Sequence, residues 1–267
     1  MSRIHKALQK AKETRRELIG DGAKYSPLER INYSISKVIP VSSKDLENQH
    51  VVSHSVRDPR AQIFRTLRTN ILKQMRLKGW RSIGITSAKP GEGKTLVASN
   101  LAGAIAMEIN NTSLLVDLDL RNPSVDKFFS LHPEKGMLDY LNGNAEIPEL
   151  LINPGLERLM ILPGKDAAAN SAELISSPKM TSLFKELRQR YKSRIIIYDL
   201  PAVLPTDDVL TSLNHIDCFL MVIEDGNCSE ADLRKSIQIL QNGNLLGTVV
   251  NKSIYGDSYI DRQIVNQ

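Results

Sequence analysis

Cysteine, tryptophan and histidine are scarce in this sequence, and each shortage narrows what the chain can do. Of its 267 residues two are cysteines, Cys218 and Cys228, and one is tryptophan. Two thiols make neither a disulfide framework nor a zinc-ligand pattern, so both are expected as reduced filler in a cytoplasmic setting. The five histidines are scattered, and neither H-E-x-x-H nor G-x-S-x-G occurs, which removes any expectation of a metalloprotease helix or a hydrolytic triad. Long apolar runs are missing as well. None approaches the roughly 18 to 20 residues that cross a bilayer, and the N-terminus is polar, so neither a signal peptide nor a membrane span is expected. Enough apolar residues remain, 41%, to bury one substantial core at this length.

Charge is abundant but unevenly placed. Residues 1–80 carry 17 Lys and Arg against 7 Asp and Glu, whereas the remainder carries 18 against 23. A basic extension on a near-neutral to acidic domain could meet lipid headgroups, nucleic-acid phosphates or an acidic partner, or could be a solvated basic helix. Within it, Ser2–Leu18 reads as a helix with Ile4, Ala7, Leu8, Ala11 and Leu18 leaning to one side. That stripe is thin and lacks aromatic anchors, so docking to a partner or weak peripheral membrane contact is expected rather than insertion. Residues 20–56, rich in Ser, Asn, Lys and Gly, read as a flexible connection. A second helix is expected from Asp58, with Pro59 at its first position, to about Leu77.

What the chain does have is a glycine-rich turn between an apolar strand and a helix. Ile83-Gly84-Ile85 runs into Thr86-Ser87-Ala88-Lys89-Pro90-Gly91-Glu92-Gly93-Lys94-Thr95. Consecutive backbone N–H groups in such a turn, backed by a helix dipole, suit a polyphosphate. Lys94 would reach the outer phosphates and the Thr95 hydroxyl would hold Mg²⁺. Ala88 stands where the usual pattern has its first glycine. The run Val97–Met107 then continues as a helix of small and apolar residues, as expected of one packed on a sheet.

Two more apolar strands end in carboxylates. Ser113–Val116 delivers Asp117 and Asp119 at alternate positions, followed by Arg121 and Pro123, and Arg194–Tyr198 ends in Asp199. Acidic groups at strand ends suit a magnesium nucleotide site, because that edge is where open α/β sheets bind ligands. Strands are expected near Arg81–Thr86, Leu114–Asp117, Leu159–Leu162, Arg194–Asp199, Cys218–Ile223 and Leu246–Val250. Helices are expected near Lys94–Glu108, Lys179–Tyr191, Asp208–Leu213 and Glu230–Asn242. The alternation predicts an α/β fold, a doubly wound, mostly parallel sheet with helices on both faces, plus a helical N-terminal extension. The expected division is 1–57 for the basic helix and linker, 58–251 for the phosphate-loop domain, and 252–267 for a tail with two tyrosines.

These residues together resemble the bacterial tyrosine kinases of capsule and exopolysaccharide loci, in their free cytoplasmic form, within the wider MinD/ParA-like group of P-loop ATPases. The likeness is carried by Pro90–Thr95, by D-x-D-x-R-x-P at Asp117–Pro123, and by Asp199, Pro201, Asp207 and Asp208. Met1–Leu8, Phe64–Ile71 and Gly136–Gly143 agree with it. The resemblance implies ATP and Mg²⁺ as cofactors and phosphoryl transfer to a tyrosine. It implies catalytic roles for Lys94, Asp117, Asp119, Asp199 and Arg121, with Asp117 accepting the tyrosine proton. Nucleotide contacts would come from Ala88, Lys89, Pro90, Gly91, Glu92, Gly93, Lys94 and Thr95, with Asn251 at the adenine edge or in a strand-ending turn, and metal ligands from Thr95, Asp119 and Asp199. Tyr255 and Tyr259 are the candidate acceptors. The implied partners are the cytoplasmic segment of a transmembrane polysaccharide co-polymerase and further copies of the chain, as dimer or ring, at the inner face of the cell membrane; nucleic acid is not an expected partner.

Three departures qualify the resemblance. The family's ring-closing Glu-x-x-Arg-x-x-Arg helix reads Gln62-x-x-Arg65-x-x-Arg68 here, and glutamine can hydrogen-bond an arginine but not form an ion pair with it. The tail offers two tyrosines rather than a cluster. Lys89 stands where the MinD/ParA-like ATPases keep a lysine that contacts a neighbouring subunit's nucleotide. Two rival expectations therefore stay open: an ATPase switching between monomer and nucleotide-bound dimer, and an ATP-binding regulator that transfers nothing.

Overall fold

A computed structural model describes residues 37–190 and 194–253 of the chain. The N-terminal helix expected over Ser2–Leu18 and the tail tyrosines Tyr255 and Tyr259 lie outside the described residues. The first described elements are a short strand β1 (Lys37–Val38), a one-turn helix α1 (Ser43–Asn48) and the long α2 (Pro59–Lys78). The ends of α2 follow from its caps. The Asp58 side chain accepts the Arg60 N–H, Pro59 occupies the first turn, and Gly79 closes the helix at φ 69°, a left-handed conformation that glycine adopts without Cβ strain.

The central alternation follows as β2 (Ser82–Ser87), α3 (Lys94–Ala106) and β3 (Thr112–Asp117). Three short helices come next, α4 (Val125–Phe128), α5 (Met137–Leu141) and α6 (Ile147–Leu150), then strands β4 (Ile152–Asn153) and β5 (Leu159–Leu162). Helices α7 (Ser171–Ile175) and α8 (Pro178–Arg190) precede β6 (Arg194–Asp199), and α9 (Asp208–Ser212), β7 (Cys218–Glu224), α10 (Glu230–Gln241) and β8 (Leu245–Asn251) complete the order. The eight described strands form one sheet in the order β1-β4-β5-β3-β6-β2-β7-β8. All neighbours are parallel except β4 and β5.

Strands β2, β3 and β6 are buried along their whole length, which is why they read as unbroken apolar runs rather than alternating ones. Their side chains still alternate between two cores. Leu114 and Val116 join Ile196, Tyr198, Leu183 and Leu187 on one face, while Leu115 joins Ile197, Ile83, Leu101 and Ile105 on the other. Helix α3 packs on the sheet through small side chains, Ala98 and Ala102 among them, while Gly103 lies against Ser53.

Residues 37–57 depart from the flexible connection expected of their composition. Leu46, Val51, Val52 and Ser53 are buried, and the segment is tied down by one side chain. Fully buried Asn100 of α3 accepts the Val52 and Ser53 N–H groups at 2.8 and 3.1 Å and donates to the His50 carbonyl at 2.9 Å. Polar composition hid this packing because the anchoring amide belongs to a distant helix. The two-residue strands and the short helices α4, α5, α6 and α7 are not among the expected elements, being shorter than a periodicity can reveal, whereas α9 falls within the helix expected over Asp208–Leu213.

Candidate active site

Parallel register assembles the site. β3 and β6 pair with Asp117 opposite Asp199, and β2 lies on the far side of β6 with Ile85 opposite Asp199. The carboxylates and the loop after β2 therefore emerge together from the carboxyl edge of the sheet, as doubly wound folds require. A cleft of about 870 Å³ opens there, walled by the loop at Pro90, Gly91 and Gly93, by Lys94 and Thr95, by Asp119 and Arg121, and by Lys165, Pro201 and Thr206 among others.

The loop spans residues 88–93. Gly91 and Gly93 hold φ of 86° and 94°, so both positions use the conformation for which glycine is suited. Ala88 is fully buried and does not face the cleft. The Glu92 side chain turns inward; its Oε2 accepts the Lys89 N–H at 2.9 Å and fastens the turn. Helix α3 begins immediately afterwards with Gly93 as its cap residue and no side-chain cap, which leaves first-turn N–H groups to a ligand.

At the cleft floor the Lys94 ammonium lies 2.7 Å from Asp119 Oδ2 and 4.0 Å from Asp199 Oδ1. Burial works against the lysine charge, but Asp199 and Asp119 more than offset it and hold the ammonium above the ordinary lysine range. The Thr95 hydroxyl donates to Asp199 Oδ2 at 2.7 Å, while Asp199 Oδ1 is buried without a hydrogen-bond partner. Burial pushes Asp199 up to about 6 against the pull of Lys94 and Thr95. The Thr95 hydroxyl and the Asp119 and Asp199 carboxylates form the hard-oxygen set that suits Mg²⁺, which takes one or two protein carboxylates and completes its shell with phosphate oxygens and water. Among the described residues no group of three or more His, Cys, Asp or Glu could cage a metal alone.

Several expected residues take other positions. Asp117 is fully buried and does not line the cleft. Its Oδ2 accepts the N–H groups of Ser124 and Val125 at 2.9 and 3.0 Å, and its Oδ1 accepts that of Asp119 at 3.2 Å. It shapes the turn after β3, and burial followed by the neighbouring Asp199 charge pushes it up to about 8. Lys89 pairs with Asp232 at 2.7 Å, at the start of α10, away from the cleft. Asn251 donates from Nδ2 to the Glu92 carbonyl at 2.9 Å, tying the end of β8 to the loop. Arg121 does border the cleft and forks onto buried Asp208 at 3.4 Å, which also accepts the Ser171 hydroxyl at 2.6 Å. Gln62 accepts from Arg65 Nε at 2.8 Å within α2, Arg65 also reaches the Ser55 carbonyl, and Arg68 reaches that of Ala104 at 3.0 Å.

Sequence reading missed Ser124, Lys127 and Lys165 at the cleft wall. Ser124 follows the D-x-D-x-R-x-P run directly. Lys165 sits three residues past β5 at φ 65°, and a basic residue just beyond a core strand could have pointed to it.

A glycine loop between strand and helix, a buried lysine, and carboxylates on the two neighbouring strand ends define a P-loop nucleotide-binding enzyme. Comparison with known proteins narrows the class. The chain is 32% identical to the tyrosine-protein kinase YwqD of Bacillus subtilis over 190 residues, 70% of this chain and 79% of that protein. It is 29% identical to the succinoglycan biosynthesis transport protein ExoP of Rhizobium meliloti over 76% of this chain but only 26% of that protein. The crystal structure of the chimerical protein CapA2B2 superposes with a TM-score of 0.71 at 26% identity, covering 81% of this chain and 93% of that one. No family model matches the chain. The chain belongs to the bacterial tyrosine-protein kinases, which are ATP-dependent transferases.

Proposed function

We propose that this kinase moves the γ-phosphoryl group of MgATP onto a protein tyrosine within the machinery that makes or exports a surface polysaccharide. The polysaccharide setting rests on relatives such as ExoP, whose name places it in succinoglycan biosynthesis. The reaction rests chiefly on one observation: Lys94, Thr95, Asp119 and Asp199 converge within 4.0 Å links beside the glycine loop. Catalysis of this kind is mostly positioning and charge neutralisation. Lys94 compensates charge on the transferring phosphates, the first-turn amides of α3 hold the polyphosphate, and Arg121, fixed by Asp208, sets the mouth of the cleft. Thr95, Asp119 and Asp199 would hold Mg²⁺, which supplies charge neutralisation when bound. The new bond forms between the tyrosine oxygen and the γ-phosphorus as the bond to the bridging oxygen of ADP breaks, and the hydroxyl proton passes to solvent water. Acceptance of that proton by Asp117 requires the turn at Ser124 and Val125 to release the carboxylate.

The acceptors proposed are Tyr255 or Tyr259 of another copy, or a tyrosine of a partner protein. The partner proposed is the cytoplasmic segment of a membrane-spanning co-polymerase, which would bring the kinase to the inner face of the membrane. No described helix is long and apolar enough to cross a membrane. The test is incubation with γ-labelled ATP, with and without that segment. Label on tyrosine that disappears in Lys94→Met, with far-UV circular dichroism retained, is the expected result. Full labelling in Lys94→Met would remove the site assignment, and free phosphate without labelled tyrosine in both conditions would turn the reading toward an ATPase.

A further inference from the structure

The geometry points to Lys252 as a positioning residue for nucleotide binding, one that aims the loop amides into the cleft from behind. Lys252 follows β8 directly and holds φ 55°, a left-handed conformation that lysine rarely adopts and that persists only where surroundings impose it. Its ammonium is shared between two acceptors, the Gly91 carbonyl at 2.9 Å and Glu224 Oε2 at 3.0 Å. Beside it, Asn251 holds the Glu92 carbonyl at 2.9 Å. Both contacts therefore fall on the outer side of the loop whose inner side, at Gly91 and Gly93, lines the cleft.

Peptide planarity turns these two contacts into an orientation. No cis peptide occurs among the described residues, and in a trans peptide the C=O and the following N–H point in opposite directions. Holding the Gly91 oxygen outward directs the Glu92 N–H inward, and holding the Glu92 oxygen outward does the same for the Gly93 N–H. The Gly93 N–H, on a residue that lines the cleft, and the neighbouring Glu92 N–H, on a fully buried residue, are thus held to the same side of the loop. The preceding carbonyls are also engaged, Lys89 O accepting the Ser87 hydroxyl at 2.7 Å and Ala88 O the Leu204 N–H at 3.3 Å, which fixes the entry to the loop. Lys252 does not line the cleft, so its effect on a ligand passes through the loop. Glu224 supplies the counter-charge that keeps the ammonium in place.

The inference rests on the cleft being the nucleotide site, and the experiment separates the two. MgADP and AMP are titrated calorimetrically into wild type, Lys252→Met and Lys252→Arg. Lys252→Met is expected to weaken MgADP about tenfold, the scale of one charge-assisted hydrogen bond's alignment, and to leave AMP within about twofold because its one phosphate depends less on the loop. Lys252→Arg, which keeps a cationic donor, should restore most of the loss. Unchanged MgADP affinity in Lys252→Met, or equal losses for MgADP and AMP, overturns the positioning role. Absence of MgADP binding in wild type overturns the site itself. Should Lys252→Met not fold, Lys252→Gln carries the same comparison, with the same selective loss expected.

Discussion

Replacing Gly93 by alanine tests the central geometry most sharply, because two separable costs meet at one Cβ. Gly93 has φ 94° and ψ 22°, and a left-handed backbone costs an L-residue about 1–2 kcal/mol. The added Cβ would also fall on the Asn251 amide nitrogen. That side chain must withdraw, losing its 2.9 Å bond to the Glu92 carbonyl, for a further loss of about 0.5–1.5 kcal/mol. Urea unfolding should therefore show Gly93→Ala less stable by about 1.5–3.5 kcal/mol. Calorimetry should show MgADP affinity reduced by about two orders of magnitude, since displacing donors by an ångström has that scale of effect. The Asn251→Ala background isolates the clash: there the alanine at 93 meets no amide, and the two substitutions should couple by about 1 kcal/mol, the backbone cost remaining. Wild-type MgADP affinity in Gly93→Ala, or strictly additive substitutions, would refute the reasoning.

Two further substitutions probe parts of the fold that hold the site without touching it. Asn100→Leu leaves the Val52 and Ser53 N–H groups and the His50 carbonyl without their partner, at a cost of about 3 kcal/mol or more; limited proteolysis should then cut within residues 43–57 much faster, and an unchanged cleavage pattern would show that the segment is not anchored as described. Asp217, at the opposite edge of the sheet, accepts the Arg81 and Ser82 N–H groups at 2.8 and 3.0 Å and pairs with Arg188 at 2.7 Å. Asp217→Ala should lower the unfolding free energy by about 2–4 kcal/mol while tyrosine phosphorylation by the folded fraction keeps its rate; a lost rate at unchanged stability would contradict this division.

The sheet was legible where its strands are buried on both faces. Strands Leu159–Leu162 and Arg194–Asp199 have the expected bounds, and the core strand expected at Arg81–Thr86 lies at Ser82–Ser87, one residue on. Helix α3 was expected to Glu108 and ends at Ala106, and α2 runs one residue beyond Leu77. These elements carry their own information: continuous apolar runs, a capping Asp58 before Pro59, and a glycine after the last turn. The short strands β1 and β4 carry none, since two residues have no period. They belong to the sheet through pairing partners, Lys37 opposite Ile152 and Val38 opposite Asn153, and their sequence distance from those partners conceals it.

The same distinction runs through the candidate site. Lys94, Thr95, Asp119 and Asp199 were readable because each sits at a fixed offset from a strand end, so register alone brings them together. What spacing could not supply was direction. Asp117 and Asp119 stand at alternate positions and share the motif, yet one turns back to hold three backbone N–H groups while the other meets Lys94 in the cleft. Lys89 and Lys252 show the converse. The first stands inside the motif and pairs with Asp232 outside the cleft, whereas the second lies 158 residues after Lys94 and grips the loop itself. Backbone carbonyls carry no sequence identity, so a contact made to one is invisible until the chain is folded. Residues that line the cleft can therefore be found by pattern, and residues that hold the loop only by tracing where each carbonyl finds its donor.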